Sequence, residues 1–117
     1  MHRPFKITSV LEIEKNGVCF LNPKRIRLLK LIHRKGSILS ASKEIGISYQ
    51  QAWGVVKEIN TAAPLPVVTR QRGGAHGGGA ALTGFGLRMV EHYDRIQEKY
   101  DGYMNELETD VKDICSF

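Results

Sequence analysis

Residues 36–60 constrain the fold most, because they predict two short helices joined by a turn at Gly46. Ala41 and Ile45 are four residues apart, so they share one face of the first helix. A glycine can take the left-handed conformation that ends a helix, and Ser48 can then cap the next one. The apolar residues of the second helix recur at steps of four, three and four residues, at Ala52, Val56, Ile59 and Ala63.

Two short helices joined by such a turn form a helix-turn-helix, whose second helix lies in the major groove of DNA. A helical corner inside another small helical domain is the alternative. Glutamine can pair with adenine, whereas tyrosine and lysine more often reach phosphate, and the glutamines at positions 50 and 51 are the candidates for base contact. The predicted DNA contacts of this helix are Ser48, Tyr49, Gln50, Gln51 and Lys57. For Trp53, beside the apolar stripe, partial packing in the core is favoured over DNA contact.

The charge of the chain changes sign near residue 83. Residues 1–83 hold 13 Lys or Arg against 4 Asp or Glu, a net +9, whereas residues 84–117 hold 4 against 8, a net −4. A basic body joined to an acidic tail indicates that the body meets a polyanion and the tail does not. A solvated basic surface is the alternative, but it gives no reason for the change of sign at an element boundary.

The residues before the first helix are predicted to form a small hairpin. Residues 5–14 alternate imperfectly between apolar and polar, as in a half-buried strand. Asn16 and Gly17 favour a type I′ turn, after which residues 18–21 return as the second strand. Asn22 and Pro23 favour the start of a helix that ends at Gly36.

A second hairpin is predicted after the helix-turn-helix, with strands at residues 67–70 and 80–82. Five glycines among residues 73–79 cannot pack a core, so they form its loop. The loop lacks the Lys-Ser/Thr of a P-loop and the third glycine of a dinucleotide fingerprint. A flexible linker is the alternative, but a hairpin with arginines in this position is typical of a wing. Its predicted DNA contacts are Arg70, Arg72, Gly73, Gly74 and His76.

A long final helix is predicted after Thr83, with an apolar stripe of about four heptads, or roughly 40 Å. The small domain before it cannot cover so long a stripe, so we expect the helix to pair with a second copy of the chain. Gly102 is a point at which it could break or kink. The stripe consists of Leu87, Val90, Tyr93, Ile96, Tyr100, Tyr103 and Leu107, and continues to Val111 and Ile114.

Other classes of protein are disfavoured by what the sequence does not contain. It has no run of about 18 apolar residues, so no membrane span or membrane partner is expected. Its two cysteines, Cys19 and Cys115, form no disulfide framework, which fits a cytoplasmic protein. The four histidines are scattered without metal-ligand spacing, and no nucleophile–base or carboxylate pair accompanies the glycines. No catalytic site, metal or cofactor is therefore expected.

Several motifs together resemble a known family. They are Asn-Pro-Lys-Arg-Ile-Arg-Leu-Leu-Lys at 22–30, Gly-Ser-Ile at 36–38, Gly-Ile-Ser-Tyr-Gln-Gln-Ala-Trp at 46–53, Gly-Gly-Ala-His-Gly-Gly-Gly-Ala at 73–80 and Leu-Thr-Gly-Phe-Gly at 82–86. This set resembles the N-terminal half of the ModE proteins, bacterial molybdate-dependent transcriptional regulators with a LysR-like winged helix. The resemblance implies a DNA-binding dimer joined through the long helix. Full-length ModE proteins continue into β-rich molybdate-binding domains, whereas this sequence ends at Phe117, so molybdate binding is not expected of it.

The sequence thus predicts a mainly α fold with small β-hairpins, an α+β winged helix-turn-helix with a long C-terminal dimerisation helix. The winged domain is assigned to residues 1–83 and the dimerisation helix to residues 84–117. The expected function is transcriptional regulation by a homodimer on a two-fold symmetric site in double-stranded DNA. The alternatives are a protein-interaction module that docks a different chain through the long helix, and an oxyanion-binding or enzymatic role for the glycine loop.

Overall fold

The computed structural model describes residues 6–71 and 79–115. Its elements, in chain order, are β1 (Ile13–Lys15), β2 (Val18–Leu21), α1 (Pro23–Lys35), α2 (Ile38–Ile45), α3 (Tyr49–Ala62), β3 (Val68–Gln71), β4 (Gly79–Leu82) and α4 (Gly84–Cys115). Strand β1 pairs antiparallel with β2, and β3 pairs antiparallel with β4. The predicted fold class, a winged helix-turn-helix followed by a long helix, is confirmed.

The ends of the first two helices are set by local caps. The Asn22 side chain accepts a hydrogen bond from the Arg25 amide at 2.8 Å, and α1 then begins at the proline. Gly36 ends α1 with φ 67°, and Gly46 ends α2 with φ 88°, both in the left-handed region. The Ser37 side chain caps α2 by accepting from the Ser40 amide. These boundaries agree with the prediction because each depends only on neighbouring residues.

The N-terminal hairpin is shorter than predicted. The turn has positive φ at both Asn16 (53°) and Gly17 (80°), as a type I′ turn requires, but β1 covers only three residues. Residues 6–12 form no strand, and Phe5 lies outside the described residues. The segment 6–12 runs beside α4 instead: the Tyr93 hydroxyl donates to the Leu11 carbonyl at 3.0 Å, and Ser9 is hydrogen-bonded to Tyr100. Packing against a helix far along the chain has replaced strand pairing.

The core lies between the three helices of the body and the second hairpin. Helix α1 is at its centre, because its apolar side buries five residues while its polar side faces outward. At the C-terminal end of α1, Lys35 and Arg34 contact Glu44 of α2 at 2.7 and 3.0 Å. The hydrogen bond from Lys35 is the main reason that the pKa of the Glu44 carboxyl lies below its usual value. The side chains that are fully buried include Leu29, Ile32, Ala41, Ala52, Val56, Ile59 and Val67.

Helix α3, the second hairpin and α4 meet at Val67, which is 0% exposed. The Asn60 side chain accepts from the amides of Val67 and Val68 at 2.8 and 3.1 Å, and donates to the Val68 carbonyl at 3.0 Å. The Thr83 amide donates to the Val67 carbonyl at 2.9 Å. The Thr83 hydroxyl oxygen also accepts from the Gly86 amide at 2.9 Å, which confirms Thr83 as the cap of α4. We call this set of contacts the Val67 junction.

Helix α4 continues through Gly102 without a break, for 32 residues or about 48 Å. Its first turns pack on the body, where Val90 and Tyr93 are 7% and 3% exposed, and the rest projects from it. The longest dimension of the chain is 64 Å for this reason. None of the helices within residues 6–71 and 79–115 is both long and apolar enough to cross a membrane.

We predict that Gly86→Ala destabilises the fold by about 1–3 kcal/mol, because overpacking has costs of this size. A Cβ at this position would lie 2.4 Å from the Val67 carbonyl oxygen. The matched control is Gly102→Ala in the same helix, where a Cβ meets nothing within 4 Å. We expect that control to stabilise the helix by up to about 1 kcal/mol. Urea denaturation at a fixed protein concentration, followed by circular dichroism, measures the free energy of unfolding of both variants. Equal midpoints for Gly86→Ala and the unmodified chain would show that α4 does not approach Val67 so closely.

Candidate nucleic-acid interface

The first turn of α3 is held by a reciprocal pair of hydrogen bonds. The Ser48 hydroxyl oxygen accepts from the Gln51 amide at 3.1 Å, and the Gln51 side-chain oxygen accepts from the Ser48 amide at 3.0 Å. This is a capping box, which ties the two side chains to each other. The capping role predicted for Ser48 is confirmed, whereas Gln51 was predicted only as a DNA contact, although the spacing Ser-x-x-Gln was a signal for the box.

The remaining predicted contacts of α3 lie on its outer side. Tyr49 is 39% exposed, and Gln50 is exposed and forms no side-chain hydrogen bond to any described residue. Lys57 is also exposed, and since it is seven residues after Gln50 it lies two turns along the same face. Lys57 borders a depression between α3 and the N-terminal hairpin. On the other side of this depression, Lys15 of the hairpin donates to the Ala62 carbonyl at the end of α3. The helix therefore presents one amide and one ammonium group outward along this face.

Arg70 joins the second hairpin to the start of α3. It lies on β3, and its Nη2 donates to the Tyr49 hydroxyl oxygen at 2.9 Å. Its Cζ is 4.1 Å from the centroid of the Trp53 ring. Trp53 is half-buried and packs against the core, so the expected partial packing is confirmed. The sequence pattern gave no signal for the contact between the arginine and these two rings.

The hairpin predicted as a wing is present. Strand β3 begins one residue later than expected and pairs from Val68 opposite Leu82 to Gln71 opposite Gly79. The Ala80 amide donates to the Gly36 carbonyl at 3.0 Å, so β4 lies beside the junction of α1 and α2. Four of the predicted wing contacts, Arg72, Gly73, Gly74 and His76, lie outside the described residues.

The predicted site residues thus fall into two groups within the described part of the chain. Ser48, Tyr49, Gln50 and Gln51 lie at the start of α3, where Arg70 of β3 binds Tyr49, whereas Lys57 lies further along the helix. Asn60, which holds β3 at the other end of α3, was missed by the sequence analysis. Its role depends on a side chain reaching across the fold, and neither spacing nor composition reveals that. Among the described residues there is no group of His, Cys, Asp and Glu that could hold a metal ion.

The apolar stripe predicted for dimerisation is divided between three surroundings. Val90 and Tyr93 are buried against the body of the same chain, and this burial raises the pKa of the Tyr93 hydroxyl. Leu87 is half-buried at the same contact, and Leu107 is half-buried further out. Tyr100 is half-buried beside the N-terminal segment. Three large apolar residues of the stripe remain exposed, at 45%, 58% and 68%: Ile96, Tyr103 and Ile114.

Comparison with known proteins identifies relatives, although no family model matches the chain. The chain is 40% identical over 88 residues to the transcriptional regulator ModE of Haemophilus influenzae, a match that covers 75% of this chain and 34% of that protein. It is 45% identical over 93 residues to the DNA-binding transcriptional dual regulator ModE of Escherichia coli K12, which covers 77% and 36%. It is 42% identical over 85 residues to the molybdenum-pterin-binding protein MopB of Rhodobacter capsulatus, which covers 73% and 31%.

The chain spans about a third of the length of these curated relatives, and the match lies in their N-terminal part. The motifs that carried the resemblance lie in α1, in α2 and α3 with the turn between them, in the second hairpin and at the start of α4. Residues 73–78 of these motifs lie outside the described residues. This chain is therefore a relative of the ModE transcriptional regulators, similar over about three quarters of its length to the N-terminal third of those proteins, as its motifs predicted.

Proposed function

We propose that this chain binds double-stranded DNA as a transcriptional regulator of the ModE type, with α3 in the major groove and the β3–β4 hairpin as its wing. The observation that carries the proposal is the outward face at the start of α3. It is fixed by a capping box, lies beside the hairpin and belongs to a body of strong positive charge. A rigid helix end with exposed polar side chains is what base readout requires.

The two glutamines at the start of α3 have different roles in this proposal. Gln51 uses its side-chain oxygen to accept from the Ser48 amide, so it serves mainly to hold the first turn. Gln50 is free to place its amide against the N6 and N7 atoms of an adenine. Tyr49 and Lys57 are assigned to phosphate, which positions the helix without reading sequence.

Most of the affinity is assigned to contacts between cations and phosphates. The body has an excess of nine positive charges over residues 1–83, whereas α4 and the residues after it are acidic. Binding releases condensed counterions, so affinity should fall steeply as the salt concentration rises. Molybdate binding is not proposed, because the match covers only the N-terminal third of the ModE relatives.

The proposal includes a homodimer that forms through the outer part of α4. Ile96, Tyr103 and Ile114 lie at steps of seven and eleven residues, so they share one face of the helix. The same face of a second copy can bury them, and two-fold symmetry then places two copies of α3 on half-sites about one helical turn of DNA apart, roughly 34 Å, or a multiple of it. The competing function for this face is docking of a different chain.

We predict that Gln50→Ala relaxes sequence preference, because each good pair between a side chain and a base is worth about 1–3 kcal/mol of discrimination. Fluorescence anisotropy on selected and random duplexes measures affinity and preference separately. Selection of bound fragments from a random pool supplies the preferred duplex.

The control variant for this test is Gln97→Ala, which removes the same side chain from α4, where its amide donates to Asp101. We expect this variant to keep both affinity and preference. An equal loss for Gln50→Ala on selected and random duplexes would remove the base-reading role. Failure of the unmodified chain to bind any duplex at low salt would remove the proposed function itself.

We predict that Tyr103→Glu dissociates the homodimer, because it places a carboxylate in the centre of the apolar face. Sedimentation equilibrium measures the mass of the particle, and we expect roughly a tenfold or larger rise in the dimer dissociation constant, since burying an unpaired charge is strongly disfavoured. Thr109→Glu adds the same carboxylate at an exposed position, about a third of the way around the helix from Tyr103, and should leave the mass of the particle unchanged. A monomeric mass for the unmodified chain would contradict the homodimer and favour docking of a different chain.

A further inference from the structure

We propose that Arg70 is a positioning residue that holds the wing to the recognition helix and orients the Tyr49 hydroxyl toward a DNA phosphate. The inference rests on the proposed function and deepens it. The sequence suggests the opposite role, in which an arginine beside a glycine-rich loop contacts phosphate itself.

The guanidinium of Arg70 is committed to two rings of α3. Its Nη2 donates to the Tyr49 hydroxyl oxygen at 2.9 Å, and its Cζ lies 4.1 Å from the centroid of Trp53. The two aromatic residues are four apart, so they lie one above the other on the same face of the helix. Because a guanidinium is planar, it can stack on one ring while it donates in its own plane to another group. An ammonium group cannot make both contacts with this geometry.

The contact completes the attachment of β3 to α3. At the C-terminal end of α3, Asn60 binds the backbone of Val67 and Val68. Near the N-terminal end, Arg70 binds Tyr49 and covers Trp53. Within the described residues these are the side-chain hydrogen bonds between the two elements. Two attachments at opposite ends of a helix fix the angle of the strand against it, whereas one alone would leave the strand able to pivot.

The same contact determines what Tyr49 can do. A phenol hydroxyl is both a donor and an acceptor, and here its oxygen accepts from a cation. Its proton is therefore directed elsewhere, and Tyr49 is exposed on the side proposed to meet DNA. A phosphate oxygen is an acceptor only, so it complements a hydroxyl held in this way. Arg70 thus acts on DNA through Tyr49.

The salt dependence of duplex binding separates a positioning arginine from one that contacts phosphate. We expect both Arg70→Ala and Arg70→Lys to weaken binding roughly tenfold, since alanine loses the hydrogen bond to Tyr49 and lysine cannot keep it together with the contact to the Trp53 ring. In each case the slope of log affinity against log salt should stay the same. A direct phosphate contact would instead be retained in Arg70→Lys and would lower the slope by about 1 in Arg70→Ala. That result would overturn the proposal.

A double-mutant cycle tests whether Arg70 acts through Tyr49. If it does, Tyr49→Phe combined with Arg70→Ala should bind no more weakly than Arg70→Ala alone, because the second change removes nothing further. Additive losses would overturn the proposal. Arg95→Ala removes a positive charge from an exposed position on α4 and controls for net charge, and we expect it to bind as the unmodified chain does.

Fluorescence in the absence of DNA tests the contact independently of the proposed function. Trp53 is the only tryptophan in the chain, so its emission reports on the guanidinium above its ring. Arg70 is exposed, so its variants should fold, which circular dichroism checks. We expect the emission of Arg70→Ala to shift relative to the unmodified chain. An unchanged spectrum would mean that the contact is absent in solution and would overturn the inference, even if the chain binds DNA. A chain that shows the shift but binds no duplex would contradict the proposed function, and with it the role of Tyr49, while the contact between Arg70 and Trp53 would stand.

Discussion

The Val67 junction is the constraint on which the arrangement of the other elements depends. This fully buried residue has its amide bound by the Asn60 side chain and its carbonyl bound by the Thr83 amide. An unpaired buried backbone group costs about 1–3 kcal/mol, so the three elements that meet here are not free to separate. The close approach of α4 at Gly86 adds a steric limit to the same junction. Helix α3, the second hairpin and the start of α4 therefore behave as one rigid unit.

A rigid unit of this kind couples dimerisation to DNA recognition in the proposed function. Pairing of α4 with a second copy would fix the separation of the two recognition helices, because α4 and α3 are joined through Val67 and not through a linker. The contact of Arg70 with Tyr49 would extend the same rigidity to the wing. Preorganised contacts of this type lower the entropy cost of binding, because fewer groups must be ordered when the complex forms.

The sequence predicted those parts of the fold that local chemistry determines. Asn22, Gly36 and Gly46 set helix ends through their own caps or backbone angles, so their boundaries could be predicted from single positions. The contacts of Asn60 and Arg70 could not, because they join residues seven to 21 positions apart through side chains whose partners no pattern specifies. The capping box of Ser48 and Gln51 was predictable from the spacing Ser-x-x-Gln, because it too involves only neighbouring residues.

Helix α4 shows what the apolar periodicity of the sequence predicts and what it does not predict. The apolar stripe predicted a long helix, and the helix continues through Gly102 although glycine is less favourable there by about 1 kcal/mol. Periodicity does not say what covers each residue. The body of the chain covers Val90 and Tyr93, and the segment 6–12, which was expected to be a strand, runs beside the helix as far as Tyr100. The most direct test of the account is an NMR titration of the isotopically labelled chain with a short DNA duplex at low salt. It predicts the largest amide shifts at residues 48–51 and along β3, and small shifts in α4 beyond residue 96; shifts that centre on the outer part of α4, or none at all, would contradict it.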